Sequence, residues 1–211
     1  ERLAVVGAGA MHYLEDGSWE EIDLNIDSTA TGWEVTKNSF ETQFSSNLQD
    51  GVTVQLDQNI DPIRFGLNPM PAWFFGEGFS PMPYIEEPAT EAISVGANVI
   101  RYPVNTNAEI DYVVTSNGIK QNLNIRDMPF APDGFEGYFG LQETMIIPSG
   151  YALFIEDSMI EEGGKLTTTN TSIDVRNLET GELLVTIDRP LIFDQSNFDG
   201  ESPDGYLGLY V

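Results

Sequence analysis

The chain predicts an all-β protein, an antiparallel sandwich-like fold of two lobes in close contact. Three observations carry this: apolar residues recur at every second position, turn signals interrupt them at short intervals, and one convincing hairpin stands near the middle. Residues 98–103 (Asn-Val-Ile-Arg-Tyr-Pro) form a β-branched and aromatic run, and residues 108–125 contain two alternating segments around Asn117-Gly118. Ile110, Tyr112 and Val114 alternate before that dipeptide, and Leu123 and Ile125 after it, so the spacing predicts a two-residue type I′ turn at Asn117-Gly118.

The other strands follow the same logic. Ile22, Leu24 and Ile26 alternate, as do Phe40, Thr42 and Phe44, then Val52, Val54 and Leu56, then Tyr151, Leu153 and Ile155. Asp16-Gly17, Asp50-Gly51, Gly163-Gly164 and residues 179–181 (Glu-Thr-Gly) supply turns between them. Tyr102-Pro103 reads as the end of a strand at a sheet edge. Residues 37–49 also fit a helix through Phe40 and Phe44, but their Ser, Asn and Thr content weakens that alternative. The apolar phase of these strands selects Trp19, Ile22, Phe40, Phe44, Tyr112, Leu123, Leu153 and Phe193 as core.

Residues 67–84 break the pattern with four prolines and five aromatics. Proline forfeits ladder hydrogen bonds, so this stretch reads as a long irregular connection. The division that follows is an amino-terminal lobe at 1–66, a connection at 67–97 and a carboxy-terminal lobe at 98–211. Either the connection covers an open sandwich end, or Trp73, Phe74, Phe75, Phe79 and Tyr84 present an aromatic surface to a protein partner or a sugar.

Composition narrows the function classes. The 211 residues carry 34 acidic and 9 basic side chains, a net charge of −25, with the acids spread along the whole length. Such a skin repels nucleic acid and anionic membranes, and no apolar run reaches the roughly 18 to 20 residues of a membrane-spanning helix. With 41% apolar residues the chain has the material for a core. The lack of cysteine removes disulfides, thiolate nucleophiles and sulfur-ligated metals, and leaves the redox compartment undetermined. A start at Glu1 with no charged-then-apolar leader suggests a processed or trimmed piece of a longer protein.

Catalytic motifs are sparse. Residues 3–12 (Leu-Ala-Val-Val-Gly-Ala-Gly-Ala-Met-His) imitate a dinucleotide-binding strand and glycine turn, yet His12 stands where the third glycine belongs, and a hairpin at 13–19 replaces the helix. His12 is the single histidine, and no serine sits in a nucleophile elbow. Paired carboxylates for glycoside hydrolysis would arise by chance among so many acids. The expectation is therefore no enzyme and no resident cofactor. The loop 194–205 gathers Asp194, Asp199, Glu201 and Asp204, oxygen ligands suited to calcium without the EF-hand spacing, and the alternative is a solvated acidic loop.

Several short phrases, in order, resemble a known class. They are 11–13 (Met-His-Tyr), 17–23 (Gly-Ser-Trp-Glu-Glu-Ile-Asp), 98–103, 110–114 (Ile-Asp-Tyr-Val-Val), 117–120 (Asn-Gly-Ile-Lys), 180–182 (Thr-Gly-Glu) and 189–194 (Arg-Pro-Leu-Ile-Phe-Asp). The chain is similar in them to β-rich modules that precede Rhs/YD repeats or accompany DNRLRE-type domains in bacterial secreted and surface proteins. The stretch at 67–84 is less plain than that class usually carries. The resemblance implies a non-enzymatic structural or display module of an extracellular, cell-surface or virion assembly, such as a phage decoration or tail subunit. Its partners would be other protein subunits or copies of itself, with neither nucleic acid nor membrane insertion. A carbohydrate-binding module using the aromatics of 73–84 is the alternative, and a glycosidase-like enzyme the third reading. Lys120 is expected to pair with a carboxylate such as Asp111 across the central hairpin, and is otherwise a solvated strand residue.

Overall fold

The computed structural model describes residues 12–15, 17–75, 80–83, 92–104, 108–126, 137–160 and 172–188. They form seventeen strands and a single 3₁₀ turn, all pairings antiparallel wherever register is defined, in agreement with the all-β expectation. In chain order the strands are β1 (His12–Glu15), β2 (Ser18–Glu21), β3 (Asp27–Ser28), β4 (Gly32–Val35), β5 (Glu41–Ser45), β6 (Val52–Gln55) and β7 (Ile63–Phe75). Then come β8 (Ser80–Pro83), β9 (Ile93–Gly96), β10 (Val99–Pro103), β11 (Ala108–Thr115), β12 (Gly118–Ile125) and β13 (Gly137–Ile146). The last are β14 (Tyr151–Ile155), β15 (Ser158–Met159), β16 (Ile173–Asn177) and β17 (Leu183–Ile187).

The chain forms two compact units, each assembled from separate stretches: 1–69 with 85–130, and 70–84 with 131–211. The first unit is a sandwich. One layer runs β3-β4-β5-β6-β7 and the other β12-β11-β10-β9. Their inner faces supply Val35, Phe44, Val52, Val54 and Ile63 on one side and Ile100, Tyr102, Ile110, Tyr112 and Val114 on the other, all buried. Tyr112 ties the layers together, its ring centroid 6.1 Å from Phe44, 5.9 Å from Phe65 and 5.7 Å from Tyr102. Such tilted and edge-on contacts suit the ring quadrupole. Buried tyrosines keep their hydroxyls bonded: Tyr102 donates to the Ser45 carbonyl at 2.6 Å, and Gln121 Nε2 donates to Tyr112 Oη at 2.9 Å. Gly66, at φ +67°, passes so close that any Cβ there would overlap the Tyr112 hydroxyl.

In the second unit, β15-β14-β16-β17 form one sheet, and the carboxy-terminal part of β7 pairs with β8. Its core is Leu153, Ile173 and Val175, with Met145, Ile147, Tyr151 and Ile155 packed against it. On β16, Arg176 donates to Asp174 at 2.6 Å, and its guanidinium lies 5.5 Å from the Phe154 ring centroid.

Several expectations need correction. Where residues 67–84 are described, at 67–75 and 80–83, they are strand and not an irregular connection: β7 runs through to Phe75 and pairs with β8, Ala72 opposite Pro83 and Phe74 opposite Pro81. Backbone N–H groups point alternately to the two edges of a strand, so prolines two residues apart leave both missing donors on the same side. Pro69 and Pro71 lie outside the Ala72–Phe75 ladder, which has to accommodate only Pro81 and Pro83, whose missing donors share one edge. The chain bends locally within β7, at Gly66 (φ +67°) and Asn68 (φ +48°). The central hairpin turns at Ser116-Asn117, because Thr115 pairs with Gly118, and neither turn residue has positive φ, so it is not type I′. Thr115 Oγ1 donates to the Gly118 carbonyl at 2.9 Å, closing that turn with a side chain.

Residues 22–26 form no strand, although their apolar residues alternate. Trp19 is 46% exposed, and Ile22 and Leu123 are half-buried, whereas Phe40, Phe44, Tyr112 and Leu153 are core as expected; Phe193 lies outside the described residues. Trp19 sits on β2 of a two-stranded sheet that pairs only β1 with β2 among the described residues. Tyr102-Pro103 ends β10, which is interior, flanked by β9 and β11.

Candidate functional site

Two surfaces of the first unit carry side chains that the fold does not use up. The first is the β1–β2 hairpin, in which Glu15 pairs with Ser18 and Gly17 sits at φ +84°. Alternation places Leu14 opposite Trp19 on one face, and they are 42% and 46% exposed. A cross-strand aliphatic–aromatic pair normally gains its energy from burial, and this one remains open to solvent. Glu20 and Glu21 flank it, and with Tyr13, Asp23 and Lys37 they line an open hollow of about 530 Å³.

The second surface is the outer face of the β3–β7 layer. Register sets Glu34 opposite Gln43, Gln43 opposite Thr53, and Thr53 opposite Arg64, so four polar side chains form a row across four strands. This follows from the same alternation that sends Val35, Phe44 and Val52 inward. The row crosses a cleft of about 300 Å³, whose walls also include Thr29, Thr31, Trp33, Ser45, Asp50 and Gly51. The 3₁₀ turn Leu48–Asp50 brings Asp50 to the rim, and Gly51 at φ +66° turns the chain into β6 where a Cβ would overlap the Phe65 carbonyl. Asn47 caps that turn by accepting from the Gln49 N–H at 3.0 Å.

Few of these groups are spent within the protein. Arg64 Nη2 donates to the Asp50 backbone carbonyl at 3.3 Å, and Ser45 Oγ donates to Asp50 Oδ2 at 3.2 Å. Among the described residues, the side chains of Glu34, Gln43 and Thr53 have no internal hydrogen-bond partner. The other described arginines are committed to carboxylates. Arg101 forks onto Asp111 through two 2.7 Å bonds and reaches Glu109 at 3.0 Å, Arg126 meets Glu109 at 3.1 Å, and Arg176 holds Asp174. Arg64 is the described arginine with no carboxylate partner.

That network also corrects the Lys120 expectation. Asp111 faces Arg101 on β10, with Asn124 donating to it at 3.0 Å, while Lys120 stands opposite Val113 and is exposed. Both partners of Asp111 sit on its own face of the sheet, and the register sends Lys120 to a non-polar neighbour.

The sequence-predicted sites are placed only in part. Trp73, Phe74 and Phe75 lie on β7, whereas Phe79 and Tyr84 fall outside the described residues. So do Asp194, Asp199, Glu201 and Asp204, and with them the candidate calcium loop. Among the described residues no group of three or more His, Asp or Glu side chains is arranged to hold a metal ion, and no helix is long and apolar enough to cross a membrane. Composition did not point to Leu14 with Trp19 or to the Glu34–Arg64 row. The hairpin turn and strand alternation contained the first, but the second required a register spanning four strands. No family model matches the chain, and neither a curated protein nor a solved structure does.

Proposed function

We propose that the chain is a non-enzymatic structural or display module of an extracellular, cell-surface or virion assembly, joined to protein subunits through apolar contacts at the β1–β2 hairpin. The carrying observation is the exposed Leu14–Trp19 pair. Aromatic side chains set on a rigid strand lose little conformational freedom on docking, and they are enriched at interface centres. The rest of the surface supports the same reading. With −25 charge, long-range forces between copies are repulsive, so cohesion falls to short-range apolar contact or to a less acidic partner. The ordered phrases that resemble bacterial surface modules point to the same setting.

A catalytic reading has less support. The open cleft does contain two carboxylates, Glu34 and Asp50. A general acid is ordinarily kept protonated by a dry, apolar pocket, and Asp50 is exposed beside Ser45 and Arg64.

The test is replacement of Leu14 and Trp19 together by Ser, with association followed by sedimentation equilibrium. Loss of association at an unchanged melting temperature is the expected result. Intact association, or a large fall in melting temperature, refutes the hairpin as the contact surface.

A further inference from the structure

The polar cleft on the outer face of the first unit has no role in the assembly reading, and its chemistry is specific enough to name a ligand class. We propose that the row Glu34, Gln43, Thr53 and Arg64 binds a neutral oligosaccharide without cleaving it. This proposal stands independently of the hairpin contact, since its residues lie on different strands and a different surface.

Hydrogen-bond accounting selects the ligand. A guanidinium carries five N–H donors, and Arg64 spends one on the Asp50 carbonyl. Gln43 offers a donor and an acceptor, Thr53 offers both through one hydroxyl, and Glu34 and Asp50 offer acceptors. The row thus runs from an acceptor at Glu34, through two groups that both donate and accept, to a donor at Arg64. A sugar hydroxyl is itself both donor and acceptor, so a run of hydroxyls satisfies such a row, whereas an apolar ligand would strand every member of it.

Charge removes the alternatives. One cation between two carboxylates leaves the cleft locally negative within a chain of net −25, which disfavours anionic sugars, phosphates and sulfates. Arg64 in turn opposes a bound cation. Length points to an oligomer: three inter-strand spacings of ~4.8 Å make a row of roughly 14 Å.

The experiment is a titration of the whole chain with cellohexaose, maltohexaose, mannohexaose and xylohexaose, followed by calorimetry and by Trp fluorescence. The expected result is binding of at least one probe with Kd near or below about 1 mM, weakened tenfold or more by Gln43→Ala and by Arg64→Gln. Gln43 has no internal hydrogen bond, so Q43A should keep the native melting temperature even if R64Q does not. Three results overturn the proposal: no probe binds, binding survives Q43A, or oligogalacturonate binds more tightly than every neutral probe. Appearance of new reducing ends overturns binding without cleavage, and would count against the non-enzymatic reading as well. Failure of all probes leaves the hairpin contact untouched, so the two readings fail separately.

Discussion

Thr42 is a polar residue in an apolar place. It lies on β5 between Val35 and Val54, 1% exposed, and its hydroxyl has no hydrogen-bond partner among the described residues. Asn38, equally buried, shows the contrast by donating to the Thr115 carbonyl at 2.9 Å. A buried donor left unmade costs about 1 to 3 kcal/mol, and Val keeps the β-branched shape that the strand prefers. Thr42→Val should therefore raise stability by about 1 kcal/mol, read as a higher urea midpoint at unchanged m-value. A neutral or lower midpoint would mean that the hydroxyl is satisfied. The sequence marks Thr42 only as one of an alternating triplet, and its inward direction becomes visible through the pairing of Phe44 with Val52.

At the scale of the element, the β16 cluster gives a pH dependence with a definite sign. The hydrogen bond from Arg176, then that from Thr186, holds the Asp174 carboxyl below its ordinary value. A group whose folded pKa is depressed contributes stability above its unfolded pKa, near 3.9, and that contribution fades as pH falls through the folded value. Asp174→Asn should flatten the acid limb of the stability profile below about pH 4 and leave the neutral-to-alkaline limb parallel to the parent's. An unaltered acid limb in calorimetry would remove the Asp174–Arg176 bond from the balance. Elements were the most legible level of the sequence. Alternation located β5, β6, β11, β12 and β14, because side-chain direction repeats every two residues. It failed at 22–26, where alternation is present without a ladder, and at β7–β8, where proline content masked a pairing that prolines two apart permit. In the central hairpin the observed turn shifts the pairing by two residues, with Ile110 opposite Leu123. An even shift preserves every side-chain direction, so the predicted faces survive the wrong turn type.

At the scale of the whole molecule, the charge is the dominant long-range term. Screening lengths fall from about 30 Å at 0.01 M salt to under 10 Å at 0.15 M, so added salt relieves repulsion between copies and weakens attraction to a basic scaffold. Association with like copies should strengthen over that range, and association with a basic surface should weaken. Light scattering that is flat from 0.01 to about 0.5 M salt would rule out electrostatics as the organising force. The candidate surfaces were less legible than the elements, since Glu34, Gln43, Thr53 and Arg64 are ordinary exposed residues until register brings them into line. β7 has a further consequence. It passes unbroken from one compact unit into the other, and residues 85–130 then return to complete the first. No single cut divides the chain into its two units. During synthesis from the amino terminus, residues 70–84 leave the ribosome before the β11–β12 hairpin of the first unit exists. Residues 70–84 must therefore wait for 131–211 while the first unit is completed around them in sequence, and a ribosome paused between residues 84 and 108 would hold a chain in which neither unit is complete.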